Sequence, residues 1–291
     1  MKRETSLPNL DIPGFFSNFK SRISIILLYI LLFVGVIVTL FPFAYMFILA
    51  SSSEAQIASY PPPFWFGGNA EANLEILLDA TPFFRNMLNS LIVAVSATLG
   101  TLFFCSLGGY GFAMYDFKGK EKLFFLMLVT IMIPGLLSII PWFVLMSWLG
   151  WVNTFYPLII PGMANAMGIF LMRQFMEGVP KDLVEAARID GCNEFGIYWR
   201  VVLPLVKPGL GALGIITFLG SWNNYLSALI ILQSKIMQTF PVALTMVAGK
   251  IKRNYGAQII GAAMAIIPII IVFLLASKQF IAGITSGATK G

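Results

Sequence analysis

Residues 23–50 read ISIILLYILLFVGVIVTLFPFAYMFILA, 28 residues without a single charge. As a helix this run extends about 42 Å at 1.5 Å per residue, more than the roughly 30 Å of a bilayer's hydrocarbon core. It is too long for the apolar core of a cleavable leader, and no small-residue cleavage site follows a short apolar core. Lipid offers a backbone no hydrogen-bond partner, so a run of this kind is expected to be a membrane-spanning helix.

Five further runs are long enough to cross: Leu88–Phe112, Leu123–Leu149, Phe155–Met176, Leu205–Leu232 and Ala257–Gly283. The composition agrees. Charged residues make up 11% of the chain, against about 25% in soluble domains. The expected fold class is an all-α integral membrane protein with six transmembrane helices. Prolines 42, 134, 141, 157, 161, 208 and 268 interrupt the runs. Membrane helices tolerate proline, although kinks around Pro134 and Pro141 would create hinges and a cavity.

Lysine and arginine set the orientation. With the N-terminus cytoplasmic, 14 of them fall inside and five outside (Arg85, Lys235, Lys250, Lys252 and Arg253), so both termini are expected to be cytoplasmic. The net charge of +6 is read as this topology, with no nucleic acid among the partners. The expected organisation is an N-terminal tail (1–22), a first helix with its external loop (23–84), a five-helix core containing a cytoplasmic loop at 177–204 (85–283), and a C-terminal tail (284–291). The first external loop contains YPPPFWFGG (Tyr60–Gly68), whose prolines and aromatics suggest an ordered lid. Cys105 falls in a span and Cys192 in the charged loop, which argues against a disulfide. The chain has no histidine and therefore lacks the commonest metal ligand and general base. It also has no phosphate-binding loop of its own.

The cytoplasmic loop is the anomaly. EAARIDGCNEFGIYWRVVLP (Glu185–Pro204) concentrates Glu185, Arg188, Asp190, Glu194 and Arg200 in a chain that otherwise avoids charge. Pro180 suits a first helical position and Asp182 a first turn. Gly191 suits a left-handed stop, Asn193 a cap for a second short helix, and Pro204 a closure at the membrane. Leu183, Ala186, Ala187 and Ile189 give the first helix an apolar side built partly of small residues, with Glu185 at its edge. Two readings are open: a helix lying on the lipid surface, or one seated in a partner's groove.

The spacing resembles the cytoplasmic motif of ABC importer permeases: EAA, three residues, Gly, nine residues, then Ile-x-Leu-Pro. The matching positions are Glu185-Ala186-Ala187, Gly191 and Val201-Val202-Leu203-Pro204, with valine in place of the usual isoleucine. RNMLNSLIVAVSAT (Arg85–Thr98), FLGSWNNYLSALIIL (Phe218–Leu232) and FIAGITSGATKG (Phe280–Gly291) are similar to segments of the carbohydrate-uptake branch, in particular the maltose-type second permease subunit. The resemblance implies an inner-membrane, multi-pass subunit of a bacterial or archaeal importer. It implies that Glu185–Gly191, Asp190 included, is a coupling helix seated in an ATPase subunit, with Leu203 and Pro204 completing the motif. The implied partners are a second permease subunit forming a heterodimer, two ATPase subunits that hold ATP and Mg, an extracytoplasmic solute-binding protein and a sugar. No cofactor is expected on this chain, and no catalysis. The C-terminal tail, Gly287–Gly291, is either a contact with the ATPase interface or a frayed end.

Intramembrane polar groups are costly and often functional. Asn165, Trp222, Asn223 and Asn224 are therefore substrate-pathway candidates, since amides and aromatic faces suit sugar hydroxyls and rings; helix–helix hydrogen bonding is the competing role. Lys250, Lys252 and Arg253 run against the charge rule. They suggest either acids on the binding protein or an anionic oligosaccharide such as a polyuronate. A self-sufficient secondary transporter would carry acids inside its spans, and none lies well inside these six. A membrane enzyme would have to use interfacial carboxylates, and those present belong to the loop motif.

Overall fold

The computed structural model describes the backbone of residues 13–250 and 254–288, and the side chains of 24–247, 254–275 and 277. All regular structure among the described residues is helical. The long α1 (Pro13–Ala50) leads into the short α2 (Glu54–Ile57) and α3 (Ala70–Ala80). Next come α4 (Phe83–Met114), α5 (Lys120–Ile131), a 3-10 turn at Gly135–Ser138 and α6 (Ile139–Trp148). The middle of the chain is α7 (Tyr156–Ile159), α8 (Ala166–Met176), α9 (Lys181–Ile189), α10 (Glu194–Ile197), a π turn at Tyr198–Val202 and α11 (Leu203–Leu205). The chain closes with α12 (Lys207–Trp222), α13 (Leu226–Ile231), α14 (Phe240–Lys250) and α15 (Tyr255–Ala288).

Six continuous spanning helices are not what forms. Three are long and apolar enough alone: Ser24–Ala50, Phe83–Met114 and Tyr255–Leu275. The third apolar run is split, with α5 and the Gly135–Trp148 arm meeting at 88°. Pro134 causes the break. It has extended backbone (φ −59°, ψ 124°), lacks an N–H and disfavours helix in the residue before it. Pro141, in the first turn of α6, makes no hinge. The fourth run breaks between α7 and α8 across Pro161 and Gly162. The fifth bends by 82° between Glu194–Leu205 and Lys207–Trp222, then breaks again at Asn223–Asn224. Pro42 and Pro268 sit within unbroken α1 and α15.

At the centre lies α4. Its buried stripe, Asn86, Ser90, Val93, Ala97, Thr101, Cys105 and Gly109, recurs every three or four residues and is mostly small. Small residues let membrane helices approach where burial of apolar surface gives no drive. Gly109 is the tightest point against α8: a Cβ there would stand 2.7 Å from the Met172 Cβ and 2.8 Å from the Arg173 amide nitrogen. By contrast, residues 24–44 of α1 are all exposed. That is the condition of a helix whose surroundings are lipid or another chain.

The segment 51–84 is ordered. Ser53 and Gln56 form a capping box at α2. The Asn73 amide donates to the Ala50 and Ser52 carbonyls (2.8 and 3.0 Å), and the Gly256 N–H donates to Glu54 Oε1 (3.1 Å). The expected lid is thus a cap fastened to the end of α1 and the start of α15. The segment 233–256 contains the short α14.

Candidate functional site

The loop at 177–204 is assembled from local rules that the sequence already shows. Pro180 stands one place before the first helical turn, as the N-cap of α9. Asp182 in the first turn and Arg188 in the last suit the helix dipole. Gly191 takes φ +81°. Around it the Cys192 N–H reaches the Ala187 carbonyl and the Gly191 N–H reaches the Arg188 carbonyl, both at 3.0 Å. This pair of bonds is a Schellman stop, which favours glycine at the left-handed position. Asn193 then caps α10 by accepting the Gly196 N–H at 2.7 Å.

The faces of α9 differ from the apolar side expected of it. Val184 and Ala187 point inward, into a cluster with Met172, Met176, Ile197, Tyr198 and Val202. Leu183, Ala186 and Ile189 point outward with Glu185, and Ile189 is 86% exposed. The helix therefore divides its apolar residues between two surfaces: an inner pair that seats it and an outer stripe that nothing among the described residues covers. Asp190 and Pro204 are exposed, whereas Leu203 is partly buried. Pro204 lies within α11, and the sharp turn comes at Val206, just before Pro208 in the first turn of α12.

Behind the loop is a charged clasp that sequence reasoning missed. Arg188 donates to both oxygens of Glu194 (2.8 and 3.2 Å). The same carboxylate accepts from Tyr115 (2.5 Å) and Tyr110 (3.3 Å) at the end of α4. These bonds, with Arg188 foremost, hold the Glu194 carboxyl down at about 2. Deeper in, Tyr198 and Ser106 share a buried hydrogen bond at 2.8 Å, and the Tyr110 and Tyr198 rings lie 5.4 Å apart. The second half of the loop is thereby tied to α4, and the first half to the second through Arg188. Arg188 and Glu194 are six residues apart across a glycine stop, and Tyr115 is 79 residues upstream of Glu194, so helical periodicity gives no sign of the meeting.

A second candidate region lies within the bundle. A half-enclosed cavity of about 370 Å³ is lined from α4 by Ala97 and Thr101, from the α7–α8 break by Gly162 and Asn165, from α12 by Thr217 and Ser221, and from the α12–α13 break by Asn224, among others. The helix breaks at Asn165 and Asn224 both border it. Irregular backbone is tolerated at membrane depth where it lines a cavity. Asn165 also caps α8, accepting the Gly168 N–H (2.8 Å) and donating to the Gly162 carbonyl (3.0 Å). Two of the four pathway candidates are absent from the wall. Trp222 is buried in a packed cluster, stacked 5.8 Å from Phe218 and 6.5 Å from Phe240. Asn223 is exposed and donates back to the Leu219 carbonyl (3.0 Å).

Lys250 ends α14, and Lys252 and Arg253 lie outside the described residues, as do the last three residues of the tail. The start of α14 is held by groups the sequence reading passed over. Asn86 donates to the Lys235 and Gln238 carbonyls (2.9 and 2.8 Å), and Asn89 to those of Ile236 and Gln238 (2.7 and 3.0 Å). Ser90 accepts the Phe240 N–H at 2.7 Å. Asn153 Oδ1 accepts the N–H groups of Gln233 and Ser234, both at 3.0 Å. The signal was available: three polar residues on one face of an apolar run.

Residues 105–282 match the model of the "Binding-protein-dependent transport system inner membrane component" family. The chain belongs to this family. Within it, the chain groups with the carbohydrate-uptake permeases. It is 42% identical over 209 residues to the arabinooligosaccharides transport system permease protein AraQ of Bacillus subtilis, covering 72% of this chain and 74% of that one. It is 30% identical over 273 residues to the lactose transport system permease protein LacG of Rhizobium radiobacter, covering 92% and 97%. A chain in the crystal structure of a bacterial ABC transporter involved in the import of the acidic polysaccharide alginate superposes with a TM-score of 0.75, at 26% identity, over 95% of this chain and all of that one. These relatives are transport permease components. This permease carries its motif residues Glu185–Gly191 on the loop whose geometry is given above.

Proposed function

We propose that this permease is the membrane subunit of an ATP-driven, binding-protein-dependent sugar importer, with its coupling surface on the outer stripe of α9. That stripe carries the reading. Leu183, Ala186 and Ile189 flank Glu185 on an exposed face, while the opposite face packs on Ile197, Tyr198 and Val202, and Glu194 and Tyr198 fasten that second half of the loop to α4. A helix meant only to lie on lipid has no need of a clasp from behind. A helix that must transmit force does. In this account two ATPase subunits hold ATP and Mg and seat α9 and its counterpart on a second permease subunit. Their closure moves the loop, and the loop's ties to α4 carry the motion to the cavity wall. ATP binding then biases the cavity between inward-open and outward-open states.

The topology proposed is six spans, three continuous and three broken, with both termini cytoplasmic and the protein multi-pass in the inner membrane. The divisions 1–22, 23–84, 85–283 and 284–291 follow from it. Asn165 and Asn224 are the substrate-facing amides of the cavity. Trp222 supports that wall from behind, and Asn223 lies beside it. No carboxylate lines the cavity, which disfavours ion-coupled secondary transport.

The substrate is an oligosaccharide delivered by an extracytoplasmic binding protein. Lys250, Lys252 and Arg253 suit an acidic sugar, in keeping with the structural neighbour's part in alginate import. The test is ATP-dependent uptake into vesicles holding the whole importer, comparing a uronate oligomer with a neutral one. The triple alanine variant at 250, 252 and 253 is expected to lose uronate uptake selectively. Equal uptake of uronate by variant and wild type would reject the acidic substrate. Uptake without ATP would reject the importer.

A further inference from the structure

The tip of the 51–84 cap is exposed and aromatic. Tyr60 is 98% exposed, Trp65 84%, Phe66 73% and Phe64 57%. No charge occurs between Glu54 and Glu71. Both legs of the tip are pinned to one point, the end of α1. The capping box at Ser53 fixes the entry. The Gly67 N–H donates to Ser51 Oγ (3.0 Å) and the Asn69 N–H to the Ser51 carbonyl (2.7 Å), which fixes the exit. Prolines 61–63 stiffen the strip between.

From that tether the strip turns back along α1. The Phe64 ring lies 5.9 Å from the Tyr45 ring, which stacks in turn on Phe41 at 5.7 Å. Tyr45 is five residues before Ala50, about 7.5 Å along the helix axis. At Phe64 the strip is therefore level with the last turns of an exposed apolar helix, not above them.

We propose that Tyr60–Phe66 is a membrane-interface anchor, seated among the glycerol and upper acyl groups of the leaflet at the C-terminal end of α1. Tyrosine and tryptophan favour that zone because their rings are apolar and their tips polar. The strip is continuous with the apolar face of α1, uncharged, and placed at the height of the interface. The anchor would set the depth of α1 and of the cap that holds the start of α15. The inference rests on α1 crossing the bilayer, not on which side is outside.

The test uses the assembled importer in bilayers containing brominated phosphatidylcholine. Emission of Trp65 is taken as the difference between wild type and Trp65→Phe. Lipid brominated near the carbonyl end should quench that difference about twofold, more than lipid brominated near the methyl end, as an interfacial ring requires. Aqueous iodide should have little effect. Strong iodide quenching with no effect of either lipid would overturn the anchor, as would shielding that appears only when the binding protein is added. Phe33→Trp, midway along α1, is the control. If it is quenched by the methyl-end lipid and Trp65 by neither, the anchor fails and the span stands. If neither responds, the span fails and the anchor with it.

Discussion

The two ends of α4 are held in opposite ways. At its C-terminal end a buried Ser106–Tyr198 hydrogen bond is overlaid by charged ties whose carboxylates are exposed. Arg188 and Glu194 meet Tyr110 and Tyr115 there, and nearby Arg173 pairs with Glu121 and Glu177 while lying over the Phe124 ring at 3.9 Å. All four ion pairs found among the described residues lie at this end. At the N-terminal end the ties are neutral and buried: Asn86, Asn89 and Ser90 grip the 235–240 backbone. Asn86 and Tyr110 are 24 residues apart, about 36 Å along the helix. Exposed ion pairs are worth little and are cheap to remake, whereas buried amides bound to carbonyls are costly to break. The contrast is that of a movable joint at one end and a fixed hinge at the other.

The sharpest way to break this contrast is at the buried end. Replacing Asn86 and Asn89 together by leucine removes four hydrogen bonds and orphans the carbonyls of Lys235, Ile236 and Gln238. The two asparagine Oδ1 atoms already lack partners, so their removal offsets part of the loss. A net cost of about 3 kcal/mol is expected, read as a lower melting temperature of the purified complex. Unchanged stability would show that this end is not fixed by its amides.

Gly109→Leu comes next. The backbone of α8 stands where the side chain would go, so overpacking should cost about 2 kcal/mol and loosen α4 from α8 without touching a charge. A variant as stable as wild type would mean that the two helices are free to separate.

Glu194→Gln should barely affect stability, by under about 1 kcal/mol, because both partners of the pair are nearly half exposed. It should still lower ATPase stimulation about threefold, the factor that roughly 0.7 kcal/mol represents. A large drop in stability with stimulation intact would reverse the roles assigned to the two ends.

The smallest effect concerns pH. Glu194 is held at about 2, below its ordinary 4.5, so its contribution is complete above pH 4.5 and is lost as pH falls through about 2. Between pH 5 and 8 the clasp should not titrate. A step in stimulation in that window that vanishes in Glu194→Gln would contradict the assignment.

Much of this was legible in the sequence, for physical reasons that differ by element. Apolar length announced α1, α4 and α15. The Schellman stop at Gly191 and the cap at Asn193 depend on a few neighbouring residues and could be read directly. The breaks at Asn165 and Asn223–Asn224 could not, because an apolar run shows length but not where lipid gives way to a cavity. On α9 only Ala187 was placed on the wrong side, since Ala186 and Ala187 are chemically alike and the packing of Val184 shows which one faces in. Trp222 looked like a sugar platform because tryptophan serves equally well as core. The clasp on Glu194 joins residues too far apart in sequence for any local pattern to reveal.

The central claim is that α9 transmits force. Its most direct test is ATPase activity of the intact importer in lipid, with and without sugar-loaded binding protein, in wild type, Glu185→Arg and Gly191→Pro. Proline cannot take the positive φ of Gly191, and arginine reverses the charge on the exposed stripe. With complexes that remain assembled, stimulation is expected to collapse in both variants while α4 and the cavity stay intact. Stimulation and transport at wild-type levels would contradict the account and leave α9 a helix resting on the membrane surface.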